Sequence, residues 1–291
     1  MKIGMTLPTM VPELSRALLL EWMRRIDRGP YSSIAAGERL AFPNQEMMVT
    51  LSAAAAVTER VRIVFTVVVL PLHRTLPMAK QLATLDVLSG GRVTVGVGVG
   101  GREEDYRAAG ASFERRAQRM EEQVGLMRRA WRGERVLDGV APIGPAPRQP
   151  GGPEILAGSL VASSIRRAAR FADGLCGFSF APDPAEVAQA FEVARTAWRD
   201  AGRTAAPRLV TSCWFALGDG AREQMDAYVK RYLGFFGAEA AASMAKLCTT
   251  VSPAALRGVV ARIRDLGADE LILVPTTSDP TELDRVADVL G

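Results

Sequence analysis

The sequence predicts a (β/α)8 TIM barrel, because apolar strand candidates alternate with helices along the whole chain and because there are eight of them. Strands that alternate with helices pair in parallel through right-handed crossovers, and eight such units close into a barrel. The predicted strands are Lys2–Leu7, Tyr31–Ala36, Arg62–Leu70, Arg92–Val99, Glu154–Ala157, Gly174–Phe180, Arg208–Leu217 and Glu270–Val274.

The connecting helices carry their own signals. Apolar residues recur at steps of four and three along one helix, which predicts a buried stripe made of Phe113, Ala117, Met120, Val124, Met127 and Trp131. Asp183, Ser252 and Asp279 each precede a proline, a pattern typical of a helix start. Glu186 and Glu282 follow three residues after an aspartate and predict two capping boxes.

One stretch exceeds a minimal barrel. Residues 219–250 lie between the seventh strand and the helix that starts at Ser252, so they emerge at the C-terminal face, where barrels build active sites. We expect a single domain over residues 1–291 with residues 219–250 inserted as a lid. Its aromatic side chains suit a substrate pocket, and their helical spacing equally suits plain packing or a dimer contact: Tyr228, Tyr232, Phe235 and Phe236.

Composition excludes several classes of protein. The net charge is +4, but the arginines are scattered among acidic residues on helix faces, which disfavours nucleic acid and leaves a polyanionic small molecule as a partner. The chain begins without an apolar signal core and has no membrane-spanning run, so we expect a cytoplasmic protein with no membrane contact. The cysteines are few and widely spaced, which indicates reduced thiols: Cys176, Cys213 and Cys248.

The fourth predicted strand has one nearly bare face. In LDVLSGGRVTVGVGVGG, residues 85–101, valines point to one side, whereas Thr94, Gly96, Gly98 and Gly100 point to the other. Such a face predicts room for a flat cofactor ring, and close helix packing is the alternative. A Rossmann fingerprint is disfavoured, because the polar loop 102–111 follows and no strand with a ribose-binding acid comes before Trp131.

Longer blocks carry a family resemblance. They are PLHRTLPMAKQLATLDVLSGGRVTVGVGVGGREEDYRAAGASFERR at 71–116, GERLAFP at 37–43, AAAAVTERVRI at 53–63, and PEILAGS with RRAARFADG within 153–174. In these blocks the chain resembles the luciferase-like flavin-dependent oxidoreductases over most of its length, apart from residues 219–250. The resemblance implies a (β/α)8 barrel that binds a flavin or the deazaflavin coenzyme F420 at the C-terminal strand ends.

The resemblance also implies site residues. A non-prolyl cis peptide bond behind the cofactor ring is expected between Val67 and Val68. Glu38 stands where family members place an acidic group near the cofactor, and an ion pair with a neighbouring arginine is the alternative. Arg39 stands where bacterial luciferase has a histidine, which argues against a luciferase reaction. His73 is interpreted as a loop residue rather than a base.

A cofactor phosphate site is implied after the fifth and fourth strands. Small residues let backbone N–H groups approach an anion, and an arginine adds a charge-assisted contact. The residues expected there are Ala157, Gly158 and Ser159, together with Gly100, Gly101, Arg102 and Tyr106.

These expectations lead to a function. The resemblance implies F420 rather than FMN, because compact family members of this length that are rich in Ala, Arg and Val resemble the F420-dependent enzymes, and the basic charge agrees with an anionic cofactor tail. We therefore expect hydride transfer between F420 and a small organic substrate. No catalytic acid or base and no metal site are assigned, and a homodimer is compatible with the apolar helices.

Alternatives stay open. They are an FMN-dependent monooxygenase supplied by a partner reductase, and a flavin-binding barrel without turnover. A Schiff-base aldolase or isomerase barrel is disfavoured, because Lys80 and Lys246 lie on predicted helices.

Overall fold

The computed structural model of the protein describes residues 1–180 and 182–291. Its eight strands form a closed barrel in chain order, and every neighbouring pair is parallel. The predicted (β/α)8 architecture is therefore confirmed. The strands are β1 (Lys2–Thr6), β2 (Ser33–Ala36), β3 (Arg62–Val69), β4 (Val93–Gly98), β5 (Glu154–Ala157), β6 (Gly174–Cys176), β7 (Arg208–Phe215) and β8 (Glu270–Pro275).

Helices cover the outside of the barrel. They are α1 (Arg16–Arg28), α2 (Met47–Val57), α3 (Thr75–Leu88), α4 (Glu103–Ala108), α5 (Arg116–Trp131), α6 (Ala162–Ala168), α7 (Pro184–Asp200), α8 (Ala221–Tyr232), α9 (Ala238–Leu247), α10 (Pro253–Asp265) and α11 (Thr281–Leu290). Short 3-10 helices add Leu70–Leu72 and Gly234–Phe236. No helix within residues 1–180 and 182–291 is long and apolar enough to cross a membrane.

Two apolar layers hold the barrel together. The large core lies between the outer face of the sheet and the helices, and the valines of β4 belong to it. A small core fills the barrel interior, as the alternation of side chains along each strand requires. Its members are Ala35, Val64, Leu156, Cys176, Val210 and Ile272.

The N-terminal end of the barrel is closed by a charged cluster. Arg208, at the start of β7, contacts the carboxylates of Glu154 and Glu270 at the starts of β5 and β8. The Ser33 hydroxyl donates to Glu270 Oε1 at 2.6 Å, and Glu270 is 1% exposed. Paired charges therefore fill the N-terminal end of the barrel. The cavity that could hold a small molecule lies at the opposite, C-terminal end.

Two local expectations change in the structure. The sixth strand ends at Cys176 instead of Phe180, because the residues after it turn over the barrel mouth, where Phe178 and Phe180 pack on Trp214. The stretch 102–111, expected as a polar loop, contains α4. The apolar residues Phe178 and Phe180 were therefore mistaken for the end of a strand, and the acidic residues in the first turn of α4 were mistaken for part of a loop.

The helix signals are confirmed in part. In α5 the predicted stripe is buried from Met120 to Trp131, whereas Phe113 precedes the helix. The Asp183 and Ser252 side chains cap α7 and α10.

Both predicted capping boxes are wrong. The carboxylate of Glu186 accepts the Ser179 hydroxyl, and that of Glu282 accepts the Leu217 N–H, so tertiary contacts replace the local ones.

Candidate cofactor and substrate site

A cavity of about 340 Å³ opens at the C-terminal mouth of the barrel. Its floor is formed by residues at the strand ends, namely Thr6, Gly37, Thr66, Ser212 and Val274. These side chains are small, and three of them carry hydroxyls. We call this space the mouth cavity, and its volume lies in the range of small-molecule sites.

The bare face of β4 does not open into the mouth cavity. A Cβ atom on Gly98 would lie 2.7 Å from Val67 Cγ2, and one on Gly158 would lie 2.6 Å from Val67 Cγ1. A Cβ atom on Gly96 would collide with the Phe65 carbonyl oxygen. The prediction that a cofactor ring lies on this face is therefore wrong, because the side chain of Val67 occupies the space.

Val67 points inward because β3 bulges. The pairing of β3 with β4 shifts register between Phe65 and Val68, and the peptide bond between Thr66 and Val67 is cis. The expected cis bond between Val67 and Val68 is thus one residue too late. Pairing resumes at Val68, whose fully buried side chain belongs to the outer core, so only Thr66 reaches the mouth cavity.

Aromatic side chains form the walls of the mouth cavity. Trp214, at the end of β7, packs edge-on against Phe178 at 4.8 Å and against Tyr232 of α8 at 5.6 Å between ring centroids. Phe235 and Phe236 close the outer side. Three of the four predicted lid aromatics therefore line the cavity. Tyr228 lies behind Tyr232, with the two rings stacked at 6.0 Å.

Arg102 is a charged side chain in this aromatic wall. Its guanidinium carbon lies 4.2 Å from the ring centre of Phe235 and 4.9 Å from that of Tyr232. Cation–π contact with two rings holds it in place. Burial lowers the pKa of Arg102, and the guanidinium nevertheless stays charged, as arginine does in proteins.

Arg39 is turned away from the mouth cavity by carboxylates. Its Nε lies 3.3 Å from Asp105 Oδ2, and its Nη2 lies 3.0 Å from Glu104 Oε1. Asp105 Oδ1 also accepts the N–H groups of Leu40 and Ala41. This buried pair ties the loop after β2 to α4, so Arg39 supports the wall in which Arg102 sits.

Glu38 contacts His73 and the end of β3 rather than an arginine. Its Oε2 accepts the Val69 N–H at 2.6 Å, and its Oε1 lies 2.7 Å from His73 Nε2. The alternative expectation, an ion pair with a neighbouring arginine, is wrong, because the carboxylate contacts His73 instead. Glu38 does not line the mouth cavity. His73 lies in the loop after β3, as expected, and its carbonyl accepts from Gln123 at 2.8 Å.

A second, smaller cavity of about 110 Å³ lies between β4, β5, α5 and α6. Ala157, Gly158 and Ser159 line it, but the Gly158 N–H donates to Val97 and the Ser159 N–H to Ala157. These two amides, expected to bind a phosphate, are thus already bonded. The polar side chains that line the second cavity come instead from α6 and its preceding strand end: Ser159, Ser163, Ser164 and Arg167.

The ten predicted cofactor residues therefore separate into three groups. Gly101 and Arg102 line the mouth cavity, and Ala157, Gly158 and Ser159 line the second cavity. The other five residues support these walls. Tyr106 is an example: its hydroxyl donates to Val99 O, and its ring packs edge-on against that of Phe113 with 5.0 Å between ring centroids. The supporting residues are Glu38, Val67, Val68, Gly100 and Tyr106.

Sequence reasoning missed the floor hydroxyls and α6. The signal for α6 was present, because Ser163 and Ser164 precede Arg167 by four and three residues and so share a helix face with it. The signal for the floor was the polar residue at an inward position near the end of a strand, as at Thr6 and Ser212. Within the described ranges, no group of three metal-binding side chains is present.

Comparisons with known proteins agree with this geometry. A family model described as luciferase-like monooxygenase matches residues 1–269. The uncharacterized protein Rv0953c of Mycobacterium tuberculosis is 31% identical over 210 residues, which are 63% of this chain and 73% of that protein.

Solved structures share the fold. An F420-dependent secondary alcohol dehydrogenase, in complex with an F420–acetone adduct, matches with a TM-score of 0.78 at 17% identity over 99% of this chain and 98% of that chain. A type II Baeyer–Villiger monooxygenase matches with a TM-score of 0.74 at 16% identity over 100% of this chain and 96% of that chain. It is the oxygenating constituent of 3,6-diketocamphane monooxygenase from the CAM plasmid of Pseudomonas putida, in complex with FMN.

Proposed function

This chain belongs to the luciferase-like monooxygenase family, and on that premise we propose that it is an oxidoreductase that passes a hydride between coenzyme F420 and a small organic substrate. The resemblance seen in the sequence blocks 71–116 and 37–43 is thereby confirmed at the level of the family. The choice of F420, the reaction and the roles of individual residues are the proposal.

The composition of the mouth cavity carries the proposal. Among the described residues that line it, none is a carboxylate, histidine, cysteine or lysine, and the polar groups at its floor are the hydroxyls of Thr6, Thr66 and Ser212. Such a lining positions a reactant but has no side chain suited to nucleophilic or acid–base work at neutral pH. The reactivity is therefore expected from a bound redox group, and the deazaflavin of F420 accepts or donates a hydride.

The protein's part is to position, to exclude water and to stabilise charge. The small floor residues leave room for a flat ring, and Gly37 is constrained there, since a Cβ atom on it would lie 2.8 Å from Thr66 O. The hydroxyls of Thr6 and Ser212 already donate to the carbonyls of Leu273 and Gly177, so their oxygens present lone pairs to the cavity. The aromatic walls make the lining apolar, which favours displacement of water when a ligand binds.

The second cavity supports F420 over FMN. Arg167 lines it, and Arg116 and Arg119 flank its lining residue Ala117 in α5. None of these three arginines has an ion-pair partner among the described residues, and Arg116 and Arg119 donate to backbone carbonyls instead. The Arg167 guanidinium is thus available to an anion in this cavity, and the two neighbouring arginines add positive potential, which suits a phosphodiester with a polyglutamate tail.

Binding of each cofactor tests the proposal. Oxidised F420 and FMN are titrated separately into the purified chain, and the fluorescence of each cofactor reports binding. We expect F420 to bind at least about tenfold more tightly than FMN, and Arg167→Gln to weaken F420 more than FMN, since the tail carries more charge. Arg129→Gln, on the far part of α5, is the matched control and is expected to change neither affinity.

Turnover separates the remaining possibilities. Absorbance of the deazaflavin is followed with a panel of small alcohols and carbonyl compounds. Tight FMN binding with no F420 binding would replace the proposal with the FMN-dependent monooxygenase. Tight F420 binding with no hydride transfer to any compound would favour a cofactor-binding barrel without turnover.

A further inference from the structure

We propose that the mouth cavity recognises an organic anion, a substrate with an apolar body and a carboxylate that pairs with Arg102. The inference rests on the proposed function, because it names the substrate class of the same cavity. Its starting point is the position of Arg102, which the sequence had grouped with the cofactor phosphate and which the structure separates from the second cavity.

Arg102 lacks a counter-ion in a place where one is needed. The neighbouring Arg39 is neutralised by Glu104 and Asp105, whereas Arg102 has no ion-pair partner among the described residues, and its Nε is buried without a hydrogen-bond acceptor. Arg102 is also the charged member of the described lining of the mouth cavity, with no acidic residue beside it there. A partly buried cation without a partner is costly, and an anionic ligand would repay part of that cost.

The aromatic contacts fix the direction of the guanidinium. Phe235 and Tyr232 cover Arg102 at 4.2 and 4.9 Å, so its planar fork is held rather than free to move into solvent. A held guanidinium presents two parallel N–H groups, which match the two oxygens of a carboxylate. The cavity thus contains a preformed anion contact rather than a flexible surface charge.

The surrounding walls specify the rest of the ligand. Phe178, Phe180, Trp214 and Phe236 face the same space, and they favour an aromatic or hydrocarbon body. Phe236 and the two rings that contact Arg102, Tyr232 and Phe235, belong to residues 219–250, the segment that follows β7 and lines this side of the mouth cavity. Arg102 is thus held against the same apolar walls that would contact the body of the ligand.

A matched pair of small probes tests the inference. Phenylacetate and phenylacetamide have the same shape and differ in charge, and their affinities for the full chain are measured by isothermal titration calorimetry. We expect phenylacetate to bind about tenfold more tightly, because a charge-assisted pair adds to the shared ring contact. The preference is expected to fall as ionic strength rises.

Variants of Arg102 assign the preference to this residue. Arg102→Gln is expected to bring the two affinities to within about twofold by weakening phenylacetate alone, while Arg102→Lys keeps part of the preference through its charge. Arg107→Gln, on the exposed side of α4, is the control and is expected to keep the full preference. Circular dichroism confirms that each variant is folded, and the lysine variant serves if the glutamine variant is not.

The outcomes that overturn the inference are distinct. Equal affinities in the wild-type chain, or an unchanged preference in Arg102→Gln, would exclude the carboxylate contact. Loss of F420 or FMN binding in Arg102→Gln with the phenylacetate preference intact would assign Arg102 to the cofactor's anion. Failure of both cofactors to bind the wild-type chain would refute the proposed function, yet it would leave the phenylacetate measurement as an independent result.

Discussion

Glu38 and His73 are joined by a contact of 2.7 Å between Oε1 and Nε2, and the second oxygen of the same carboxylate accepts the Val69 N–H at 2.6 Å. One side chain at the end of β2 thus holds both the end of β3 and the loop that follows it. Because Thr66 and Val67 immediately precede this point, the carboxylate also fixes the bulge that shapes the floor of the mouth cavity.

Glu38→Ala is expected to destabilise the protein. It leaves the Val69 N–H without its acceptor in a partly buried place, which costs about 1–3 kcal/mol of unfolding free energy. Urea denaturation measures the loss. Glu103→Ala, at an exposed position in α4, is the control and is expected to stay within about 0.5 kcal/mol of the wild type. Unchanged stability together with lost cofactor binding would instead make Glu38 a ligand.

Gly98→Ala is expected to destabilise the barrel, because its Cβ atom would lie 2.7 Å from Val67 Cγ2. Overpacking of this kind costs about 1–3 kcal/mol. The double variant Gly98→Ala with Val67→Ala is expected to recover part of the loss, which a double-mutant cycle in urea detects as a coupling energy. Strictly additive losses would mean that Val67 does not occupy the glycine face.

Gly101→Ala is the matched control for that series. No heavy atom lies within 4 Å of the position that its Cβ atom would take, so thermal unfolding is expected to stay close to that of the wild type. Because Gly101 lines the mouth cavity, its variant is expected to affect ligand affinity more than stability.

The fold was predictable because its signal is local and repeated. Each strand is apolar over several residues, and each is followed by a helix with its own period, so eight agreeing units specify the barrel. Boundaries were less predictable where apolar residues serve another purpose. Phe178 and Phe180 read as a continuation of β6, yet they pack on Trp214 across the mouth.

The site was less predictable because its contacts are long-range. A glycine shows that something approaches closely, but the sequence does not say what approaches, and Val67 meets Gly98 only through a bulge about thirty residues earlier in the chain. Likewise, Glu38 was expected near a cofactor or an arginine, and its partner depends on where the loop after β3 places His73. Charged side chains find their partners in three dimensions, and spacing alone does not identify them.

Arg39→Met, in the loop after β2, is expected to destabilise the protein strongly. The side chains of Arg39 and Asp105 are 3% and 5% exposed, so removal of the cation leaves a buried carboxylate with only its amide donors. The expected loss is about 3 kcal/mol, and chemical denaturation measures it. Arg129→Met breaks an exposed ion pair with Glu134 and is expected to leave the melting temperature unchanged. An equal loss of stability in Arg39→Met and Arg129→Met would contradict the structural role of Arg39.

The three thiols are expected to react slowly with Ellman's reagent in the native protein. Burial raises the pKa of Cys248 from 9.0 to about 11, and burial raises those of Cys176 and Cys213 to about 12. A raised pKa favours the neutral thiol, whereas the thiolate is the nucleophile, so the reactive fraction of Cys248 at pH 8 is about a hundredfold below that of an unperturbed cysteine. Stopped-flow absorbance gives the rates.

The pH dependence identifies which thiol reacts first. The thiolate fraction of Cys248 rises about tenfold for each pH unit below its pKa, so the fastest phase is expected to accelerate between pH 8 and pH 10. Cys248→Ser is expected to remove that phase and leave the slower ones, because the pKa values of the other two thiols lie higher. If all three thiols reacted together at one pH-independent rate, global unfolding rather than thiol ionisation would control their reactivity, and the raised pKa of Cys248 would not explain its slow reaction.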